Sequence, residues 1–456
     1  MKRRIGPGAT VLLLIAGVQA TSAGTASRSL LGVPGTTTLL VGQTYVGEYD
    51  AYRHAFGVPA GSSHYGEIYS DRINQGDDGD PARPLRLLDF VDSVQDSAIV
   101  EVAMSWKDNP DLSRHPRDAC GDFVGKRVYQ VNQDIASGMY DAQIDSLGAV
   151  FAHRPATTFL LRIEYEVSRF AFSWKPSASC PASGVAYDFT DASIIDNAPY
   201  RAAFRHVATR LRDTLRLPNV RFVFHPVRGF GDAHDLYPGN DVVDFVALSL
   251  FDDDICFGGH NCGGSIDGNV RQVFQWARDS VHKPRMIAES SWQPLNNDTA
   301  WRRAQGATES GRVDWLSRLR AVVDTFDVAV WTYIDSDWRS HGWDSTWWGD
   351  SRVESRSATS DWWKRHVVQD SRFLLGRSHA GTTGVSGSRS EGVGSFVREG
   401  SELCLRGWGI SPHWTLLDAR GSVRARGTGD RLSLPEPGSG ASFLRVNGRF
   451  AAAVLP

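Results

Sequence analysis

Two glutamates, Glu166 and Glu289, each end an apolar stretch that is typical of a buried β-strand, LLRIEYE and RMIAE respectively. Two carboxyl groups are the minimum for hydrolysis of a glycosidic bond. One protonates the leaving oxygen, and the other attacks the anomeric carbon or activates water. At the carboxyl ends of parallel strands such groups face a common site. The pair therefore predicts a glycoside hydrolase, with about 5–5.5 Å between the carboxyl groups if configuration is retained.

The residues that lead to Glu166 carry charge at every second position. Arg162, Glu164 and Glu166 alternate after an apolar run, so they share one face if the segment is a strand throughout. Charged side chains on such a strand are costly unless they line a polar cavity, which the mouth of a TIM barrel provides. The alternative is that Arg162 and Glu164 form a structural pair and Glu166 only caps the strand.

Strand-like and helix-like stretches alternate over most of the chain. The predicted strands are Thr44–Tyr49, Ala98–Trp106, the stretch beginning at Leu160, Val220–His225, Val242–Leu250, Arg285–Glu289 and Val328–Tyr333; the predicted helices are Ser137–Ala152, Ala198–Leu215, Val270–Val281 and Val313–Thr325. This order favours a parallel α/β fold, the (β/α)8 TIM barrel, over residues 38–372. A doubly wound sheet is the alternative, but the first strand lacks a GxGxxG sequence. Gly61–Asp71 is expected to be a loop over the site.

The two ends of the chain have other compositions. Lys2–Arg4 precede the short apolar run Val11–Val18 and several small residues, which predicts a signal peptide over residues 1–26 and a secreted or periplasmic protein. Gly376–Gly394 has the composition of a linker. Short alternating runs in residues 395–456 predict a small β-sandwich-like domain. For that domain we favour packing over carbohydrate binding.

Composition limits the classes of partner. A net charge of -3 gives no indication of nucleic acid or of an anionic membrane, whereas 15 Trp, 12 Tyr and 21 Phe suit stacking on sugars. Candidate sugar platforms lie at or beyond strand ends: Trp106, Trp174, Trp292 and Trp331. Core packing is the alternative for each. His225 is a candidate for bonding a sugar hydroxyl, with a structural role as its alternative.

The remaining polar clusters give weaker signals. Possible disulfides are Cys256–Cys262 and Cys120–Cys180, with Cys404 left over. A zinc site at Cys256, His260 and Cys262 lacks a second ligand pair, and Asp252–Asp254 lack the spaced oxygens that calcium uses. Glu48 and Glu67 are possible substrate contacts, although solvated acids are commoner. We expect no metal, no cofactor and a monomer.

Several short motifs together resemble those of clan A glycoside hydrolases, and most closely family 26, whose members include β-mannanases. An Arg stands four residues before the Glu and an aromatic-rich segment ends in Trp, as in Arg162, Glu166 and Trp174. Further similar segments are Tyr200-Arg201, Phe204-Arg205-His206, Asn219-Val220, Tyr237-Pro238-Gly239 with Val243-Asp244, Lys283-Pro284 with Glu289, and Trp347–Arg352. The resemblance covers residues 137–289 well and the rest of the barrel loosely.

The resemblance implies a retaining, endo-acting hydrolase of a polysaccharide or oligosaccharide. Glu166 is then the general acid/base, Glu289 the nucleophile, and Arg162 and Tyr165 bind substrate or tune the pair. One departure concerns the substrate: the family usually has His-Glu followed by Asn-Gly, where this chain has Tyr165-Glu166 and Val167-Ser168. β-Mannan is therefore one candidate beside β-glucan, xylan and galactan. A glycan-binding barrel without turnover, and a polysaccharide lyase using Tyr165 or His225, are the other classes.

Overall fold

The computed structural model describes residues 31, 35–67, 72–74, 86–95, 98–106, 124–168, 195–227, 229–251, 268–292, 308–341 and 349–376, and the backbone of strands between residues 395 and 455. Only backbone is described for residues 66–67, 72–74, 86 and 124–127. Several predictions lie outside these residues: the signal peptide, the linker, Trp174, Asp252–Asp254, and the disulfide and zinc candidates Cys120, Cys180, Cys256, His260 and Cys262.

Eight parallel strands of the described residues form a closed barrel, which confirms the predicted fold class. They are β1 Thr37–Gly42, β2 Gly61–Glu67, β4 Ile99–Ser105, β5 Thr158–Ile163, β6 Val220–Phe224, β7 Phe245–Leu250, β8 Arg285–Ser290 and β9 Val330–Ile334. Each pairs with the next in parallel, and β1 closes the barrel by pairing with both β2 and β9. Two short strands extend the sheet: β3 Arg72–Asn74 beside β2, and β10 Phe373–Leu374 beside β1.

Helices follow the barrel strands along the described chain. They are α1 Val46–Phe56, α2 Arg86–Val94, α3 Val124–Ala136, α4 Asp141–Ala152, α5 Ala198–Thr209, α6 Phe230–Leu236, α7 Gly268–Asp279, α8 Glu309–Thr325 and α9 Ser357–Trp363. Two of them, α5 and α9, continue into single π-turns at Arg210–Thr214 and Lys364–Val368. No helix in the described part of the chain combines the length and apolarity that a membrane span requires.

The inside of the barrel changes from apolar to polar along the strands. Leu160, Val223 and Val330 belong to one buried apolar cluster inside the barrel. Two residues further along β5 and β9, the inward positions hold Arg162 and Thr332. Successive inward positions of a strand lie two residues apart, so a polar layer stands directly above the apolar one. This layer supports the site.

Two sequence predictions near the N-terminus are wrong. Thr44–Tyr49 is not a strand, because Tyr49, Tyr52 and Phe56 recur at helical spacing and are buried on one face of α1. The first strand is instead β1, a short run buried at all six positions, whose sequence shows no alternation. Most of Gly61–Asp71 is strand β2, since Gly61 gives β4 room: a Cβ there would lie 1.6 Å from the Ile99 carbonyl oxygen.

The chain divides into two compact units, Met1–His379 and Ala380–Pro456. The second unit contains two antiparallel sheets. One has three strands in the order β11 Ser395–Glu399, β12 Glu402–Arg406, β15 Arg431–Ser433, and the other has four in the order β14 Val423–Thr428, β13 His413–Asp418, β16 Ser442–Val446, β17 Arg449–Leu455. The small β-sandwich-like domain over residues 395–456 stays a prediction.

Candidate active site

Arg162 is the centre of the polar layer. Its Nη1 lies 2.5 Å from Glu289 Oε1, and its Nε lies 2.8 Å from Glu101 Oε1. Arg162 and Glu101 are fully buried, and Glu289 is 4% exposed. Strands β4, β5 and β8 thus contribute one charged side chain each, and a single guanidinium joins two carboxylates.

Electrostatics fix the guanidinium in its charged form. Burial opposes the charge of Arg162, but Glu101 and Glu289 outweigh burial and hold the pKa of Arg162 above its ordinary value. Burial raises the pKa of Glu101 to about 7, although Arg162 and the hydroxyl of Thr332 both act to lower it. Thr332 donates to Glu101 Oε2 over 2.6 Å. The layer therefore holds one fixed cation and two acids that share it.

A β-bulge turns Glu289 towards the inside of the barrel. The pairing of β7 with β8 runs from Leu248–Ile287 to Ser249–Glu289, which leaves Ala288 as an extra residue. In a regular strand the side chain after an inward Ala288 points outwards. The bulge cancels that alternation, so Glu289 lies on the same side as Ser249 and contacts Arg162.

A different device places Glu166. Strand β5 ends at Ile163, and Glu164 and Glu166 then adopt left-handed conformations with φ of 49° and 53°. Non-glycine residues rarely adopt this region, and such strain is concentrated at functional sites. Pairing with β6 resumes at Val167, which forms a parallel bridge with Pro226. The segment therefore leaves Glu166 partly exposed beyond the strand.

The left-handed turn also separates Glu164 from the other two charges. Glu164 is fully buried, and its Oε2 accepts a 2.5 Å hydrogen bond from the backbone N–H of Trp106 at the end of β4. Arg162, Glu164 and Glu166 therefore do not continue one alternating face. The predicted pairing of Arg162 with Glu164 is wrong, because Arg162 pairs with Glu101 and Glu289 instead.

Two tyrosines bring the surroundings of Glu166 and Glu289 together. The rings of Tyr65 and Tyr165 meet edge to face with centroids 5.3 Å apart, and the Arg162 guanidinium lies 5.4 Å from the Tyr165 ring centre. Burial raises the pKa of both phenols, and the charges of Glu289 and Glu166 raise both further. Tyr165 directly precedes Glu166, and its ring lies beside the guanidinium that contacts Glu289, so the two strand ends border one region. The distance of about 5–5.5 Å stays a prediction.

His225 supports this region from below rather than contacting a sugar. Its Nδ1 lies 3.1 Å from Arg162 Nη1, and its Nε2 lies 3.1 Å from Ser249 Oγ. Arginine only donates, so Nδ1 accepts and Nε2 carries the proton that it donates to Ser249. The ring is fully buried and both nitrogens are engaged. The expected contact between His225 and a sugar hydroxyl is therefore corrected to a positioning role.

Comparison with known proteins adds an independent finding. No protein-family model matches the chain. Its sequence relatives are β-1,3-xylanases. One from a Vibrio species is 27% identical over 55% of this chain and 52% of the relative, and one from an Alcaligenes species is 26% identical over 55% and 51%. The chain spans about half the length of the curated relatives it matches.

Solved structures with a similar fold are family 26 endo-β-1,4-mannanases. The modular enzyme of Cellulomonas fimi has a TM-score of 0.48 at 16% identity, covering 95% of this chain and 96% of that one. The catalytic domain from Bacillus sp. JAMB-750 has a TM-score of 0.47 at 14% identity, covering 75% and 87%.

The three described tryptophan candidates are core residues, not sugar platforms. Trp331 is fully buried against Trp363 and Phe373, with ring centres 5.3 and 5.6 Å away. Trp292 packs on Trp315 of α8 at 5.7 Å. Trp106 is fully buried and donates from Nε1 to Asn132 of α3. All three contact surrounding helices. Trp331 lies within β9, where strand alternation sends every second side chain out of the barrel.

Glu48 is also engaged within the protein. Its carboxylate accepts hydrogen bonds from the hydroxyls of Thr44 and Ser336 and from the backbone N–H of Asp337, and it pairs with His341. These contacts join the start of α1 to the segment after β9. The possible substrate contact at Glu48 is therefore corrected to a structural one, and the side chain of Glu67 lies outside the described residues.

Sequence reasoning missed Glu101 and Tyr65. Glu101 is the only charged residue in the apolar stretch AIVEVAMSW, the same signal that identified Arg162 one strand later. Tyr65 was hidden by the interpretation of its segment as a loop. Within the described residues, no group of three or more His, Cys, Asp or Glu side chains is arranged to hold a metal ion.

Proposed function

We propose that this chain is a retaining glycoside hydrolase, with Glu289 as the nucleophile and Glu166 as the general acid/base. The observation that carries the proposal is the contact of Glu289 with Arg162. Tyr65 and Tyr165 lie beside this contact, and burial and the charges of Glu289 and Glu166 raise the pKa of both phenols. A nucleophilic carboxylate must be held in place beside a counter-charge, and the contact of Glu289 with the Arg162 guanidinium provides both. An acid/base must exchange protons with solvent between its two steps, which suits the partly exposed Glu166.

For the substrate we propose β-1,3-linked xylan, which the enzyme cleaves at internal linkages of the polysaccharide. Two curated relatives carry that activity in their names, and Tyr165 stands where the mannanase-like motif has His. A xylose unit lacks the hydroxymethyl group of a hexose, so a bulky aromatic beside Glu166 is compatible with it. β-1,4-Mannan is the second candidate, because the sequence motifs resemble family 26. The N-terminal sequence supports export of the protein.

Two other classes fit the geometry less well. A lyase needs an ionised base, but burial and the neighbouring carboxylates raise the pKa of Tyr165 and Tyr65, and His225 is engaged at both ring nitrogens. A binding barrel needs exposed aromatic faces, whereas the described tryptophan candidates are buried. Neither class accounts for the contact of two buried acids, Glu101 and Glu289, with Arg162.

The test is a panel of β-1,3-xylan, β-1,4-xylan, β-1,4-mannan, β-glucan and galactan, incubated with wild type, Glu289→Ala and Glu166→Ala. We expect wild type to release short oligosaccharides from β-1,3-xylan and to give products of the β configuration at first, as seen by NMR. Cleavage of mannan alone changes the substrate and keeps the mechanism. Binding without any product, or full activity in Glu289→Ala, contradicts the proposal.

A further inference from the structure

We propose that Glu101 is a positioning residue that keeps Arg162 paired with a carboxylate while the reaction consumes the charge of Glu289. The inference rests on the proposed retaining mechanism and adds to it a residue that never touches the sugar. The geometry is a buried relay across four strands: Thr332 on β9 contacts Glu101 on β4, which contacts Arg162 on β5, which contacts Glu289 on β8.

The need for such a residue follows from the chemistry of the first step. A Glu289 oxygen forms a bond to the anomeric carbon as the glycosidic C–O bond breaks, and the leaving oxygen takes the proton of Glu166. Glu289 becomes a neutral ester. In the second step Glu166 takes a proton from water, whose oxygen attacks the same carbon and releases Glu289 as a carboxylate.

Arg162 faces a changing environment during these steps. In the free enzyme its charge has two carboxylates within 2.8 Å, but in the ester form Glu101 is the one described anion that remains in contact. A buried cation without a counter-charge is strongly unfavourable. Glu101 therefore lowers the energy of the transition state more than that of the free enzyme, which is the condition for a faster reaction.

The groups that face this relay are known within the described residues. Glu101 faces Arg162 and Glu289 as charged groups, with the hydroxyls of Thr332 and Ser63 beside it. Arg162 also faces Tyr65, Tyr165 and His225. Burial and the charge of Glu289 raise the pKa of both phenols, which keeps them neutral. Ionised Glu101 is thus the counter-charge that remains after Glu289 becomes an ester. Because burial raises the pKa of Glu101 to about 7, the reaction rate should rise as this group ionises near neutral pH.

The test measures kcat/KM against pH for a dinitrophenyl β-xylobioside, whose leaving group needs no acid, in wild type, Glu101→Gln and Thr332→Val. Trapping with the 2-deoxy-2-fluoro analogue and mass spectrometry counts the active sites, so partial unfolding does not distort the rates. We expect Glu101→Gln to lose on the order of 10- to 100-fold in kcat/KM. Its acidic limb should move to lower pH, because the ionisation near 7 is gone.

Thr332→Val is the matched variant, since it keeps the carboxylate and removes one hydrogen bond to its ionised form. Its acidic limb should move to higher pH, opposite to that of Glu101→Gln. If Glu101 has a purely structural role, the substitutions lower the number of active sites and leave the acidic limb of kcat/KM in place in both variants. That result overturns the inference. If wild type cleaves no glycoside or glycan, the proposed function fails first, and that outcome is distinct from an unmoved limb in an active enzyme.

Discussion

The carboxyl ends of β5 and β8 each deliver a glutamate to the same region, but they do so by opposite means. Strand β8 stays paired and absorbs one extra residue, so Glu289 points inwards from an intact sheet and is 4% exposed. Strand β5 stops, and two left-handed residues carry Glu166 beyond it into partial exposure. The first end holds a carboxylate fixed and the second holds one within reach of water.

The difference matches what each role requires. A nucleophile attacks one carbon along one line, so a sheet position with a buried Arg162 contact reduces the motion that misaligns it. An acid/base changes protonation state twice in each turnover, so it needs solvent contact and a pKa that is free to respond.

Glu289→Gly should cause the greatest loss, about 10⁴-fold or more in kcat on β-1,3-xylan, because no covalent intermediate can form. With a dinitrophenyl β-xylobioside, the enlarged site should accept external azide or formate as a substitute nucleophile, which displaces dinitrophenolate and gives an α-glycosyl product. Product analysis by NMR checks this. An α-glycosyl azide from Glu166→Gly rather than from Glu289→Gly would exchange the roles of the two strand ends.

Glu166→Gln should lose about 10²- to 10⁴-fold on polysaccharide, the usual contribution of general acid–base catalysis. The loss in kcat/KM should nearly vanish on a dinitrophenyl glycoside, since a good leaving group needs no proton, while kcat stays low because water still lacks its base. Steady-state kinetics on both substrates provide the measurement. Equal losses on the two substrates would mean that Glu166 is not the acid.

Arg162→Met should destabilise the fold by about 3–5 kcal/mol at pH 7, because it leaves Glu101 and Glu289 buried without a counter-charge. Urea unfolding measures the change, which should shrink at pH 5 as Glu101 takes up a proton. Arg205→Ala is the control, since it breaks an ion pair with Asp241 whose side chains are 42% and 60% exposed. That pair should contribute only about 0–1 kcal/mol. Equal effects would contradict the buried charge arrangement.

The two strand ends also differ in what sequence can predict. The barrel follows from the order of apolar stretches, and both glutamates stand out as acids that end them. The sequence RMIAES does not indicate the bulge at Ala288. The left-handed conformation of Glu164 ends the alternation that suggested one face for Arg162, Glu164 and Glu166. The orientation of Trp331 depends on strand parity and on Trp363, more than thirty residues later, which local pattern does not contain.

The smallest expected effect concerns the pH dependence of stability. Burial raises the pKa of Glu101 from 4.5 to about 7, so between these values the folded chain keeps a proton that the unfolded chain has released. This group therefore makes the protein less stable as pH rises from about 4.5 to about 7, with no further change above. Glu101→Gln should remove that slope in urea unfolding measured across the window without substrate. Asp279→Asn should leave the slope unchanged, because Arg278 lowers the pKa of this exposed carboxylate and its titration ends below the window. If wild type and Glu101→Gln show the same slope, the pKa of Glu101 is not raised in the folded chain, and its 2.8 Å contact with Arg162 offsets burial completely.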